Sequence, residues 1–182
     1  ICFCCQGNTN WFLKIDAQSA CGAKSLKRHR RIGKLLLLCS RFSIRLTAPK
    51  VVVDDYAHHP TEINAVADAL EAFYPDQIKL GVFQPHLFSR TRDFITEFKQ
   101  ALARFDEVLL LDIYPARELQ MEGITSALLV DESHAATQLI DKQMLAEMIA
   151  KSAATVVAIM GAGDIAFEVP AVIQTLKNQQ YA

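Results

Sequence analysis

Ionisable and polar side chains are concentrated in four short stretches of the chain, and each stretch directly follows a run of apolar residues. Three of the five histidines, His58, His59 and His86, lie in these stretches. If the apolar runs are parallel strands of one sheet, their carboxyl ends meet at one edge, where such sheets bind ligands. The pattern therefore predicts a ligand site built from residues 54–60, 84–92, 112–118 and 161–164.

The first stretch holds two acidic residues and two histidines. Asp54 and Asp55 are suited to bind a ribose hydroxyl or a hydrated magnesium ion, or to stabilise the amino end of the next helix. Neighbouring residues of an extended segment point in opposite directions, so at most one of His58 and His59 reaches a given site. That histidine could contact a substrate carboxylate, or backbone groups nearby could satisfy it.

Arg90 and Arg92 lie at the predicted start of a helix, where the helix dipole disfavours a positive charge. They need an anion, and Arg is suited to hold a carboxylate or a phosphate through two parallel hydrogen bonds. The alternative is an ion pair with an acidic side chain of the protein, of which Asp93, Glu97 and Glu118 are the candidates. Residues 161–164, Gly-Ala-Gly-Asp, suit either an anion-binding turn or a tight turn between a strand and a helix.

The elements that must position these residues alternate between strands and helices. Apolar runs predict strands over residues 43–46, 51–54, 79–83, 107–113 and 155–160, and apolar spacings of three and four predict helices over residues 60–74, 89–105, 139–150 and 165–176. This order predicts an α/β fold of three layers, with a Rossmann-like, mostly parallel sheet between flanking helices.

Two different compositions are joined in this chain. The first 50 residues carry ten Lys and Arg against one acidic residue, and all five cysteines fall within the first 40. We therefore predict a basic, cysteine-containing extension over residues 1–40, disordered or foreign to the domain, followed by one domain over residues 41–182. A chain that begins with Ile1 and joins two compositions is also predicted to be a gene fragment.

Composition also argues against several functions. The net charge of −1 disfavours a nucleic-acid-binding protein, and no apolar run approaches the ~20 residues that a membrane-spanning helix needs. The few cysteines and the lack of a secretory signal predict a cytoplasmic protein. A metal-dependent hydrolase that uses His58, His59 and His86 stays an alternative, although no carboxylate and histidine have the spacing of helical zinc ligands.

Several motifs in order resemble the C-terminal domain of the Mur ligase family. They are Asp-Asp-Tyr-Ala-His-His-Pro-Thr-Glu at residues 54–62, Phe-Gln-Pro-His at 83–86, Ser-Arg-Thr-Arg-Asp at 89–93, Asp-Ile-Tyr-Pro-Ala-Arg-Glu at 112–118 and Gly-Ala-Gly-Asp at 161–164. The resemblance implies a cytoplasmic ligase of peptidoglycan precursor synthesis that uses ATP and Mg²⁺ to join L-alanine to UDP-N-acetylmuramate. A relative that recycles murein tripeptide shares the first motif and is a second interpretation.

The resemblance also implies roles for individual residues. His58 and Arg90 correspond to groups at the L-alanine site, while Asp55 and Arg41 correspond to groups that bind ATP. Supporting positions are Tyr56, His59, His86 and Arg92, and neither a catalytic residue nor a metal ligand is assigned to this domain. Many family members carry Arg where this chain has Leu87.

The sequence contains no GxxxxGK[ST] loop to hold the phosphates of ATP. The chain by itself is therefore expected to be inactive as a ligase, since phosphoryl transfer depends on such a loop and its magnesium ion. A domain that binds a nucleotide or an amino acid without catalysis is the remaining alternative.

Overall fold

The computed structural model describes residues 42–130 and 137–180, which form a six-stranded sheet with helices on both faces. The strands are β1 (Ser43–Leu46), β2 (Val51–Asp55), β3 (Lys79–Phe83), β4 (Glu107–Leu110), β5 (Thr137–Leu139) and β6 (Val156–Met160). The helices are α1 (Pro60–Phe73), α2 (Phe88–Asp93), α3 (Ile95–Leu102), α4 (Leu145–Lys151) and α5 (Val169–Gln180), and 3₁₀ turns span Ser126–Leu129, Lys142–Met144 and Asp164–Glu168.

The strands are arranged in the order β1-β2-β6-β3-β4-β5, and every neighbouring pair is parallel except β1 with β2. The register aligns the carboxyl ends of the four central strands, with Asp55 beside Met160, Met160 beside Phe83, and Phe83 beside Leu110. The predicted mostly parallel sheet is confirmed, and the segments that follow these strands leave the sheet at one edge.

Each face of the sheet is covered by its own helices. Successive residues of β2 point to opposite faces, so Val53 packs in the core formed with α1 and α3, while Val52 packs in the core formed with α4 and α5. β3 and β6 are buried along their whole length, as expected for strands covered on both faces. The predicted three-layer architecture is therefore confirmed.

The single helix predicted over residues 89–105 is wrong, because two helices occupy this range. Phe94 has φ −125° and ψ 27°, which ends α2 and begins α3. Its ring packs against the imidazole of His59 with the centroids 4.8 Å apart. This contact with the start of α1 is a tertiary interaction, and the apolar periodicity of the segment does not reveal it.

The helix predicted over residues 139–150 also begins too early. Residues Thr137–Leu139 instead form β5, which pairs with β4, and α4 begins only at Leu145. A strand of three residues at a sheet edge is too short to show an alternating pattern. The predicted last helix likewise begins as a 3₁₀ turn over Asp164–Glu168, and β4 ends at Leu110, earlier than predicted.

The predicted extension of residues 1–40 and the candidate residue Arg41 lie outside the described residues, so their assignments stay predictions. Among the residues that the structure does describe, no helix combines the length and the apolar character needed to cross a bilayer.

Candidate functional site

The segments that follow β2, β3, β4 and β6 are joined by backbone hydrogen bonds beyond the ends of the strands. The amide of Gly161 donates to the carbonyl of Asp55 (3.2 Å), and the amide of Gln84 donates to that of Met160 (3.0 Å). The segments that follow β3 and β4 are joined in the same way, since the amide of Tyr114 donates to the carbonyl of Pro85 (2.8 Å) and the amide of Leu87 donates to the carbonyl of Tyr114 (3.0 Å). The four polar stretches of the sequence therefore form one continuous surface.

Four rings lie in a row across this surface. The ring of Tyr56 contacts the edge of His58 at 5.4 Å, and His58 contacts His86 in the same manner at 5.8 Å between centroids. His86 stacks on Tyr114 at 5.7 Å with 21° between the ring planes. The site thus brings together His58 and His86 from segments that are distant in sequence.

His59 points away from this row, as expected for the neighbour of His58. It is the N-cap of α1, where its Nδ1 lies 2.9 Å from Oγ1 of Thr61. Glu62 completes a capping box, because its Oε2 accepts hydrogen bonds from the amides of His58 (2.8 Å) and His59 (3.1 Å). The three histidines therefore do not converge, and no group of three or more His, Cys, Asp or Glu among the described residues could hold a metal ion.

One ring nitrogen of His58, Nδ1, has its partners within the protein. Its Nδ1 lies 2.9 Å from the carbonyl oxygen of Tyr56 and 3.2 Å from Oε2 of Glu62. Both contacts hold the imidazole in the orientation in which it makes the edge-to-face contact with His86. The backbone contact that we considered as an alternative to ligand binding is present, and it fixes the orientation of the ring.

Arg90 and His86 each have a buried nitrogen that the described part of the chain leaves without a partner. These atoms are Nη1 of Arg90 and Nδ1 of His86. None of the ion pairs among the described residues includes Arg90. A buried donor without a partner costs about 1–3 kcal/mol, so a cationic donor in this position favours binding of an anion.

Burial lowers the pKa of the His86 imidazole below its ordinary value, and the nearby Arg90 and His58 lower it further, while Glu118 has a smaller opposite effect. The neutral form of His86 is therefore favoured near pH 7. A neutral imidazole beside Arg90 avoids adding a second positive charge to the site.

The other predicted cation, Arg92, has a protein partner. Its Nε donates to Oδ1 of Asp93 at 2.7 Å, and about half of its side chain is exposed. For Arg92 the ion pair that the sequence offered as an alternative is therefore the observed arrangement.

The two acidic residues at the end of β2 lie on opposite faces of the sheet. Asp55 is 3% exposed, and its Oδ1 accepts a hydrogen bond from the amide of Ala57 at 2.8 Å. Asp54 is more exposed, and its Oδ2 lies 3.8 Å from Nε of Arg45. The role of Asp55 as a ribose contact stays a prediction.

The Gly-Ala-Gly-Asp turn is packed against the protein. The side-chain amide of Gln84 donates to Oδ1 of Asp164 (2.8 Å) and accepts from the amide of Ile165 (3.0 Å), and Lys142 pairs with Asp164 at 2.5 Å. A Cβ at Gly163 would lie 2.5 Å from Oε1 of Gln84 and 2.6 Å from Cγ of Tyr114. The second glycine is thus required for close packing, which favours the tight-turn interpretation.

The sequence alone does not reveal the structural roles of Gln84, Tyr114 and Glu118. Gln84 connects the segment after β3 to the segment after β6, and Tyr114 supports the ring of His86. Glu118 is one of the acidic residues that the sequence offers as a partner for an arginine, but its carboxylate accepts hydrogen bonds from Ser89 instead. Their positions after strands were visible in the sequence, whereas their partners depend on how the loops pack.

The fold and the site define a three-layer α/β domain with a ligand-binding edge at the carboxyl ends of its parallel strands. The sequence matches the Mur ligase family, glutamate ligase domain, over residues 40–163. The chain therefore belongs to the Mur ligase family.

Relatives in this family carry a consistent name. The chain is 55% identical over 127 residues to the UDP-N-acetylmuramate–L-alanine ligase of Flavobacterium psychrophilum, covering 69% of this chain and 28% of that protein. It is 54% identical over 141 residues to the enzyme of the same name from Christiangramia forsetii, covering 76% of this chain and 31% of that protein. The chain thus spans about three tenths of the length of these relatives.

Solved structures show the same fold. UDP-N-acetylmuramate-alanine ligase from Thermotoga maritima superposes with a TM-score of 0.60 at 25% identity, covering 78% of this chain and 30% of that one. A domain of a UDP-N-acetylmuramate:L-alanyl-gamma-D-glutamyl-meso-diaminopimelate ligase from Haemophilus ducreyi superposes with a TM-score of 0.54 at 25% identity, covering 75% of this chain and 99% of that one.

Proposed function

We propose that this chain is the C-terminal domain of a ligase that joins L-alanine to UDP-N-acetylmuramate in peptidoglycan precursor synthesis, in the cytoplasm. The observation that carries the proposal is the buried nitrogen of Arg90, which has no partner among the described residues and acts on His86, whose lowered pKa favours the neutral ring. The name shared by relatives at 54–55% identity supports the choice of substrates.

In this proposal Arg90 binds the carboxylate of L-alanine. A guanidinium can hold a carboxylate through two parallel hydrogen bonds, which fixes the direction of the amino acid as well as its position. His58 lies next to His86 at 5.8 Å and contributes a second polar contact, while Tyr56 borders the site on the other side of His58. Binding in this geometry would hold the amine of L-alanine for attack on an activated carboxylate.

ATP and Mg²⁺ belong to the proposed function through the family. ATP supplies the energy that activates the carboxylate of UDP-N-acetylmuramate. Asp55 and Arg41 remain the candidate contacts to the nucleotide, and the described residues offer no cluster for a metal ion. We propose that this domain binds and orients L-alanine.

The assignment of L-alanine is tested by calorimetric titration of the chain with L-alanine, with and without MgATP. Arg90→Ala should weaken binding about tenfold to a hundredfold, since a hydrogen bond to a charged group is worth about 1.5–3 kcal/mol. Arg92→Ala is the matched control, because Arg92 is paired with Asp93 and should be replaceable at no cost to binding. Equal losses in the two variants would contradict the proposal.

The nucleotide assignment is tested by the paired variants Asp55→Asn and Asp54→Asn, titrated with MgATP. Loss of nucleotide affinity only in Asp55→Asn supports a ribose contact by the buried carboxylate. Loss only in Asp54→Asn moves the contact to the more exposed neighbour.

The 182-residue chain should not release phosphate when it is given ATP, L-alanine and UDP-N-acetylmuramate together, because it contains no phosphate-binding loop. Turnover above the background of a heat-denatured sample would contradict this statement.

A titration with L-alanyl-γ-D-glutamyl-meso-diaminopimelate tests the second interpretation, a ligase that recycles murein tripeptide. Tighter binding of the tripeptide than of L-alanine would identify the chain as part of such a recycling ligase.

A further inference from the structure

The helix that carries Arg90 lacks the features that usually begin a helix. The N-cap residue of α2 is Leu87, whose apolar side chain makes no capping hydrogen bond. Its backbone has φ 71° and ψ 133°. A positive φ costs a residue other than glycine about 1–3 kcal/mol. Because α2 has only six residues, it is also too short to be stable without contacts from outside the helix.

The missing cap is supplied by Glu118, which is 29 residues away in sequence. Its Oε2 accepts a hydrogen bond from the amide of Ser89 at 3.0 Å, and its Oε1 accepts from the hydroxyl of Ser89. A single carboxylate thus satisfies donors of the first turn of α2, and its negative charge suits that end of the helix.

The loop that carries Glu118 is itself anchored to the segment before α2. The amide of Leu87 donates to the carbonyl of Tyr114, and the amide of Glu118 closes a turn by donating to the carbonyl of Pro115 at 2.9 Å. The ring of Tyr114 stacks on His86 in the same region. Glu118 is therefore held in place independently of Arg90.

Both charges act on the same imidazole, since Arg90 and Glu118 shift the pKa of His86 in opposite directions. The carboxylate of Glu118 itself is engaged by both donors of Ser89. The hydrogen bonds from Ser89 also hold the pKa of Glu118 below its ordinary value, so the carboxylate stays charged at neutral pH. The arrangement keeps an acid next to the site without pairing it to the cation.

We infer that Glu118 is a positioning residue: by capping α2 through Ser89 it sets the direction of the Arg90 guanidinium toward an anionic ligand. The inference rests on the proposed function for the identity of the ligand, L-alanine. The capping of α2 and the ordering of Arg90 by Glu118 can be tested without any ligand.

The experiment compares Glu118→Gln with Glu122→Gln, a change to an exposed acidic residue of the same loop region, in the full chain. Without ligand, Glu118→Gln should speed hydrogen exchange at the amide of Ser89 about tenfold and shift the Nε–H resonance of Arg90 in the NMR spectrum, while Glu122→Gln should change neither. Unchanged exchange and an unchanged Arg90 resonance in Glu118→Gln would overturn the inference, whether or not the chain binds L-alanine.

Titration with L-alanine provides the second measurement. Glu118→Gln and Ser89→Ala should each raise the Kd for L-alanine about tenfold. Ser89→Thr keeps both donors, the backbone amide and the hydroxyl, so its Kd should equal that of the wild-type chain. Faster exchange with an unaltered Kd would show that Glu118 stabilises the helix without orienting Arg90, which also overturns the inference. If the wild-type chain does not bind L-alanine, the proposed ligand fails, and the Arg90 resonance alone decides the role of Glu118.

Discussion

His86 shows how the environment of one residue decides the character of the site. Its ring lies between that of His58 and that of Tyr114, and its Nδ1 is buried without a partner among the described residues. Burial and the charge of Arg90 lower its pKa, so folding favours the neutral ring. A protonated His86 would repel Arg90, so acid should affect both the stability of the fold and the binding of an anion.

The sign of the effect on stability follows from the lowered pKa. The unfolded chain protonates His86 near the ordinary value of about 6.5, whereas the folded chain takes up this proton only at lower pH. The contribution of His86 to the free energy of unfolding is therefore present above pH about 6.5 and is lost as the pH falls below it.

We expect the wild-type chain to lose more stability between pH 7.5 and pH 5.5 than His86→Gln does, measured by urea unfolding at both values. The acidic groups are common to the two proteins, so the difference isolates the histidine. An equal loss in both would show that His86 has the same pKa in the folded and unfolded states.

At the scale of elements, the turn between β6 and α5 depends on the absence of a side chain at one position. Gly163 has φ −93°, which any residue adopts, so the backbone conformation does not require glycine there. The requirement comes from Gln84 and Tyr114, whose atoms lie within 2.8 Å of the position a Cβ would take. A turn that the sequence suggests as an anion site is thus explained by packing.

Gly163→Ala should lower the free energy of unfolding by about 1–3 kcal/mol, the usual cost of forcing an extra carbon into a packed region. It should also shift the NMR resonances of the His86 ring, because Tyr114 must move. Gly123→Ala is the matched control: Gly123 has φ 75° and no atom within 4 Å of a Cβ, so it should cost about 1 kcal/mol through backbone strain and leave His86 unchanged. Identical His86 spectra in the two variants would contradict the packing explanation.

At the scale of the whole molecule, the described residues form a six-stranded sheet with a hydrophobic core on each face. The six strands and five helices lie within residues 42–180, and the family match covers residues 40–163. The basic segment of residues 1–40 is compositionally distinct, with all five cysteines of the chain. We therefore propose residues 41–182 as the domain and residues 1–40 as an extension outside it.

If residues 1–40 lie outside the domain, deleting them should change the free energy of unfolding by less than about 1 kcal/mol. A change of 1 kcal/mol in a domain of this size moves the thermal midpoint by about 2–4 °C, so the midpoint should stay within about 2 °C of the full-length value. Differential scanning calorimetry of both proteins is the measurement. A drop of 10 °C, or the loss of a cooperative transition, would show that the first 40 residues belong to the folded domain.

Several features of the site were predictable because they depend on local order in the chain. Apolar runs followed by polar stretches placed Asp55, His58, His86 and Arg90 at strand ends, and a parallel sheet brings strand ends to one edge. The opposite directions of His58 and His59 followed from backbone geometry alone. These inferences need only the alternation of elements and no knowledge of which loops touch.

The sequence by itself determined the class of fold, the edge of the sheet that carries the site, and the residue types available there. Tertiary structure alone decided the break at Phe94, the pairing of β5, the burial of Asp55 and the binding of Glu118 to Ser89. Each of these depends on contacts between segments far apart in the chain, whose free energy exceeds the local preferences that a sequence pattern reports. Arg90 is the clearest case: its position at the start of a helix was predictable, but only the tertiary structure shows that its buried Nη1 has no partner among the described residues.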